Sequence, residues 1–188
     1  MGTFRDLTEH SLDGSIVYSG KLLEVHRDDV SLPDGTRGGR EWINHPGAAA
    51  VLPFFDDESV LLVRQFRFPP RREFLEVPAG KLDRPGEDPA AVALRELEEE
   101  TGWTATDLRH LVAAYPCIGY SNEVIHFYMA SGLVPGRRSL SEGEFLEAVR
   151  LPFSDVVARV SDGRIDDMKT IAAVLLANLQ LKRSNTDR

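Results

Sequence analysis

Three glutamates, Glu96, Glu99 and Glu100, stand in the run Arg95-Glu96-Leu97-Glu98-Glu99-Glu100-Thr101-Gly102 at a spacing suited to metal chemistry. On a helix advancing about 100° per residue, Glu96 and Glu100 lie about 40° apart and Glu99 about 60° to the other side of Glu96. These three share a face beside the apolar stripe of Ala93 and Leu97, whereas Glu98 falls on another side and is set aside. A solvated acidic face is the usual explanation of a charge run. Two local costs weigh against it here. Glu96 and Glu100 form a like-charge i,i+4 pair, and the acids gather near a helix C-terminus, where the dipole disfavours them. Clustered carboxylates make a hard oxygen site for Mg²⁺ or Mn²⁺, and Arg95 can orient them while leaving the field negative.

The elements around this run follow from patterning. Asp88 can cap the helix, Pro89 fits its first turn, Ala90, Ala93, Leu94, Leu97 and Thr101 keep helical spacing, and Gly102 supplies the stop. Upstream, residues 16–30 have strand-like content, and a Pro-Asp-Gly turn at 33–35 followed by residues 40–45 predicts a β-hairpin. Apolar runs 48–54 and 60–67, separated by an acidic turn, predict a second hairpin, and residues 74–77 a further strand. Downstream, 111–115, 124–130 and 147–151 are strand candidates, with helices over 153–160 and 168–181. The first dozen residues and the polar end after Lys182 are expected to be loose. The order predicts an α+β fold, layered as an α/β/α sandwich: a mixed central sheet flanked by helices, with an N-terminal β-hairpin region.

Composition sets limits. The 188 residues carry 30 Asp+Glu against 22 Lys+Arg, a net charge of -8, and the stretch from Asp83 to Glu100 alone holds seven acids and two bases. An acidic chain is not expected to bind nucleic acid or an anionic membrane without specificity. A single cysteine, Cys117, and the lack of a long apolar run predict a soluble cytoplasmic protein. The five histidines lack metal-ligand spacing, and neither Cys117 nor Ser121 has an adjacent acid–base partner, so neither is assigned as a nucleophile.

Gly80, Glu87 and the run from Arg95 to Trp103 resemble the Nudix box, the signature of Nudix hydrolases, with one departure: six residues rather than five separate Gly80 from Glu87. The extra residue falls in the turn at 83–86. Over residues 17–179 the chain is also similar to ADP-ribose pyrophosphatases, through Gln65-Phe66-Arg67-Phe68-Pro69, Glu73–Gly80, Pro116–Glu123, Gly143–Glu147 and Asp167-Met168-Lys169-Thr170.

This resemblance implies metal-dependent hydrolysis of the diphosphate of ADP-ribose, or a close ADP-sugar, to AMP and a sugar phosphate. It implies Glu96 and Glu100 as ligands of Mg²⁺ or Mn²⁺ with the backbone carbonyl of Ala79, and Glu99 as a ligand or water-orienting carboxylate. Arg95 becomes an orienting partner, and Glu87 a ligand for an additional metal or a structural acid. Glu144 becomes the general base or metal-linked acid, with Glu142 and Glu123 as rivals. Arg67 is assigned to a phosphate or the terminal ribose, against a strand-end salt bridge. Trp42, with Glu41 beside it, is assigned to the adenine, against packing in a core or dimer; Trp103 is assigned to the core. A homodimer is implied, with swapped strands from residues 1–47, a hydrolase domain over 48–182 and a polar tail over 183–188. GDP-mannose and ADP-glucose are alternative substrates, and a non-catalytic sensor of ADP-ribose is the alternative from another class.

Overall fold

In the computed structural model, which describes residues 5–84 and 86–186, the chain forms two units, Met1–Pro46 with Cys117–Glu123 and Gly47–Pro116 with Val124–Arg188. The first is an antiparallel sheet of β1 (His10–Ser19), β2 (Glu24–Ser31) and β3 (Arg37–Asn44), in that order. The Pro-Asp-Gly turn closes the β2–β3 hairpin as expected, with Ser31 opposite Arg37 and Gly35 at φ 83° donating to the Leu32 carbonyl. Such a φ suits glycine, which has no Cβ to clash. Residues 117–123 join this unit through the Ile43 N–H to the Tyr120 carbonyl and the His45 N–H to Asn122. The first dozen residues were expected to be loose, but β1 begins at His10. Pairing with β2 satisfies its backbone although all ten of its residues are exposed.

The second unit contains β4 (Ala48–Pro53), β5 (Ser59–Arg67), β6 (Arg72–Glu76), β7 (Ala79–Lys81), α1 (Pro89–Thr101), β8 (Trp103–Ala114), β9 (Ile125–Pro135), β10 (Leu146–Pro152), α2 (Phe153–Ser161) and α3 (Met168–Thr186). Its sheets run β7-β4-β9-β8 and β10-β5-β6, the first mixed because β4 and β9 are parallel. The expected hairpin between 48–54 and 60–67 does not form. β4 pairs with β7 and β9, β5 pairs with β6 and β10, and the two segments meet in a single bridge, Phe54 to Val60.

The reason lies in β4 itself. Ala49 and Val51 pack against Val92, Ala93 and Leu97 of α1, while Ala48, Ala50 and Leu52 pack with Leu62, Val156 and Val174. A strand apolar on both faces belongs in the middle of a sheet covered on both sides. The layered α+β architecture expected from the sequence is therefore observed. α3 continues through Thr186, past the point where a loose tail was expected.

Candidate active site

α1 is built from local signals. Asp88 caps it, accepting from the Ala90 N–H at 3.0 Å, and Pro89 opens the first turn. Gly102 ends it at φ 76°, its N–H bonding the Glu98 carbonyl at 2.8 Å. Leu97, fully buried, faces the sheet, worth about 1.5–3 kcal/mol, and that anchoring sets which way the glutamates turn. The extra residue ahead of Glu87 is absorbed in a turn where Gly86 takes φ 74° and the Glu87 N–H bonds the Arg84 carbonyl; Pro85 lies outside the described residues.

Arg95 stands between the acids. Its guanidinium is 2.6 Å from Glu96, 3.3 Å from Glu99 and 3.6 Å from Glu87. Glu98 faces away, as its position on the helix requires, and accepts from the Arg137 N–H at 3.0 Å. Glu96 lies directly over Gly80, where a Cβ would come within 2.1 Å of its carboxyl. Only glycine allows that approach, which accounts for the residue that opens the motif.

Glu100 is 5% exposed, and its Oε2 has no hydrogen-bond partner among the described residues. Burial, then the charges of Glu96 and Glu144, push its carboxyl up to about 8, against the Ala79 N–H and Arg67, which favour the ionised form. Burial also raises Glu96.

Among the described residues, no three His, Cys, Asp or Glu side chains converge closely enough to grip a metal ion as they stand. Glu96 and Glu99 lean on Arg95 instead. The donor chemistry nevertheless fits a hard divalent cation. Carboxylate oxygens are its preferred ligands, and buried oxygens of Glu87 and Glu100 lack partners among the described residues. A cation would also offset the repulsion that Glu96 and Glu144 impose on Glu100.

Glu144 sits in the loop between β9 and β10, where its carboxylate accepts from the Ser141 N–H at 3.0 Å and Gly143 turns the chain at φ 86°. Its charge is felt by both Glu96 and Glu100. Together with Arg64, Gln65, Phe66, Leu140 and Phe145 it lines a cleft of about 360 Å³. Of the rivals, Glu142 is exposed in the same loop, and Glu123 belongs to the first unit, 3.8 Å from His45.

Arg67 is gripped through Nε and Nη2 by Glu76, both at 2.7 Å, and its charge reaches Glu100. Glu76 is 2% exposed and also bonds Lys169, which bonds Asp167 at 2.9 Å. Asp167 accepts from the Thr170 N–H and hydroxyl, and the Thr170 oxygen accepts from the Val77 N–H at 2.9 Å. The start of α3 is thus tied to the strand leading into Ala79 and Gly80. Sequence reasoning gave no role to Glu76, Lys169 or Thr170. An acid between Leu75 and Val77 in a strand, and an Asp three residues before a Thr at a helix start, were the available signals.

Trp42 and Glu41 lie in the first unit. The Trp42 indole stacks on His26 at 4.5 Å and donates to Asp28 at 2.9 Å, and Glu41 is exposed opposite Arg27. Trp103 packs edge-on against Phe55 at 4.9 Å.

A mixed sheet carrying a glutamate-rich helix over the short strand β7 defines a class, and the NUDIX domain family model matches residues 44–174. The chain belongs to the NUDIX family and is a Nudix hydrolase. It is 39% identical over 182 residues to the ADP-ribose pyrophosphatase of Bacillus subtilis (strain 168), covering 96% of this chain and 97% of that one. It is 37% identical over 174 residues to the methanol dehydrogenase activator of Bacillus methanolicus, covering 92% and 94%. A crystal structure of an ADP compounds hydrolase superposes with a TM-score of 0.84 at 25% identity, covering 96% of this chain and 98% of that one. Among the described residues no helix is long and apolar enough to cross a membrane.

Proposed function

We propose that the protein hydrolyses the diphosphate of ADP-ribose, or of a close ADP-sugar, to AMP and a sugar phosphate. The observation that carries this is the buried, partly unpartnered carboxylate of Glu100, set with Glu96 and Glu99 beside Ala79 and Gly80 of β7 and under the charge of Glu144. Similarity over nearly the whole chain to a relative named for ADP-ribose supports the substrate class. Glu96, Glu99, Glu100 and the Ala79 carbonyl would hold Mg²⁺ or Mn²⁺, and Glu87 a further ion. Bound there, the cation would neutralise the diphosphate and acidify a water.

The chain's own groups do the rest. Arg95 aligns Glu96 and Glu99. Glu144 takes the proton of the attacking water as one P–O bond forms and the bridging P–O bond breaks. Arg67, gripped by Glu76 through one edge of its guanidinium, offers the other edge to a phosphate or the terminal ribose. Residues 1–47 pair with a second copy, in a homodimer that brings Trp42 and Glu41 to the adenine. The exposed Leu12, Ile16, Val17 and Tyr18 of β1 support that pairing. A reducing cytoplasm suits the single Cys117.

The test measures products from ADP-ribose, ADP-glucose and GDP-mannose with Mg²⁺ or Mn²⁺. AMP and ribose phosphate from ADP-ribose, at the highest kcat/KM of the three, are expected. Faster cleavage of GDP-mannose would replace the substrate. Tight ADP-ribose binding without cleavage of any of them would replace the enzyme with a sensor. Glu144→Gln is expected to lower kcat about 100-fold or more with binding little changed; normal turnover would move the base elsewhere.

A further inference from the structure

Glu96, Glu98, Glu99 and Glu100 crowd the C-terminal half of α1, and its last turn contains no basic residue. The helix dipole makes that end unfavourable for negative charge. The compensation comes from the segment after β9, which runs alongside the end of the helix. There the Gly136 N–H bonds the Gly102 carbonyl at 2.8 Å, and the Ser139 N–H bonds the Glu99 carbonyl at 2.9 Å. Gly102 permits the close passage, since a Cβ there would lie 3.3 Å from that of Arg138.

Arg138 adds one side chain with two destinations. Nε donates to the Glu100 carbonyl at 2.9 Å and Nη2 to the Leu146 carbonyl at 2.5 Å. The first is among the carbonyls that a helix end leaves without an intrahelical partner, and the second opens β10. Arg138 makes no ion pair among the described residues, so the fork serves backbone carbonyls. Arg138 itself and its partner Leu146 bracket residues 139–145, the loop that carries Glu144, and the bond to Glu100 ties that bracket to α1.

That loop needs holding. The charge of Glu144 acts on Glu96 and Glu100, and carboxylates brought together in this way repel one another when ionised. Its own bond to the Ser141 N–H lies within the loop and ties it to nothing else.

We propose that Arg138 is a positioning residue that clamps both stems of the Glu144 loop to the C-terminus of α1, holding Glu144 against repulsion from the carboxylates it works with. This rests on the assignment of Glu144 to the reaction. Arg138 also places a positive charge at the end of the helix that carries the acids, without pairing with any one of them. Lysine can reach one carbonyl at a time, whereas the planar fork spans both.

The test compares Arg138→Gln and Arg138→Lys with Arg137→Gln, a neighbour whose backbone N–H alone bonds Glu98. Arg138→Gln is expected to lower kcat on ADP-ribose about 10- to 100-fold, with KM within about threefold. Arg138→Lys is expected to recover part of the loss, and Arg137→Gln to match the wild type. Hydrogen exchange without substrate supplies the second readout: in Arg138→Gln, amides of residues 140–146 exchange faster while those of α1 before Glu98 do not change. Wild-type exchange in the loop overturns the proposal. So does uniform acceleration along α1, which marks general destabilisation. If the wild type fails to cleave ADP-ribose, the proposed reaction falls, while the exchange pattern still decides the clamp. Should Arg138→Gln fail to fold, the same exchange comparison is made on Arg138→Lys.

Discussion

Glu100 joins a buried carboxylate to an oxygen without a partner among the described residues and to two like charges nearby. Such a group costs stability in the protein stripped of divalent ions. Its carboxyl moves from 4.5 up to about 8, so the folded state holds the proton more tightly than the unfolded chain. Stability is therefore full below about 4.5 and is lost as pH rises through about 8. In chelator, Glu100→Gln is expected to melt higher than the wild type, with the gap widening from pH 5 to pH 8.5. Millimolar Mg²⁺ should then raise the wild-type Tm, as a ligand bound only to the folded state must, and leave that of the variant nearly unchanged. Turnover by the variant should fall at least about 100-fold. Equal melting curves in chelator would show that Glu100 carries no such cost.

Elements deliver these residues through joints that the motif does not contain. Val77 leads through Pro78 into β7, and its backbone N–H is satisfied by Thr170 at the start of α3. Thr170 is fully buried. Thr170→Val keeps the shape and leaves the Val77 N–H unpaired, at about 1–3 kcal/mol. A urea titration should show that loss, with Thr170→Ser restoring most of it. Because β7 places Ala79 beside Glu100, kcat should fall along with stability. Unchanged stability in Thr170→Val would remove α3 from the account of how β7 is held.

At the scale of the whole molecule, the exposed apolar residues of β1 suit the proposed pairing with a second copy. Leu12, Ile16, Val17 and Tyr18 are all about half exposed or more, more than scattered surface apolar residues require. Light scattering is expected to give about twice the 20.9 kDa chain mass. If the proposed homodimer forms, removing residues 1–19 should yield a monomer whose KM for ADP-ribose rises more than tenfold, because Trp42 and Glu41 of the second copy would no longer be held in place. A full-length monomer with normal KM would sink the swapped arrangement. The acidic surplus of the chain also has a local use at this scale, since much of it is gathered where cations are expected to bind.

Helix α1 was legible from the sequence because everything that makes it is local: Asp88, Pro89, Gly102, the apolar stripe, and a 100° advance that separates Glu98 from the other acids. The Gly80 requirement was visible as part of the motif, although its cause, the Glu96 carboxyl lying over it, was not. Strand pairing was not legible. β4 and β5 are adjacent in sequence and separated by a good turn, yet pairing depends on which strand buries two faces, and that is decided by α1, α2 and α3 together. The same holds for Glu76, Lys169, Thr170 and Arg138, each of which has a partner between 8 and 93 residues away. Spacing along the chain determined which side chains share a face and so what chemistry they can do. Only the tertiary structure decided which distant groups hold them there, because a hydrogen bond or a buried face is satisfied by whatever the fold brings near.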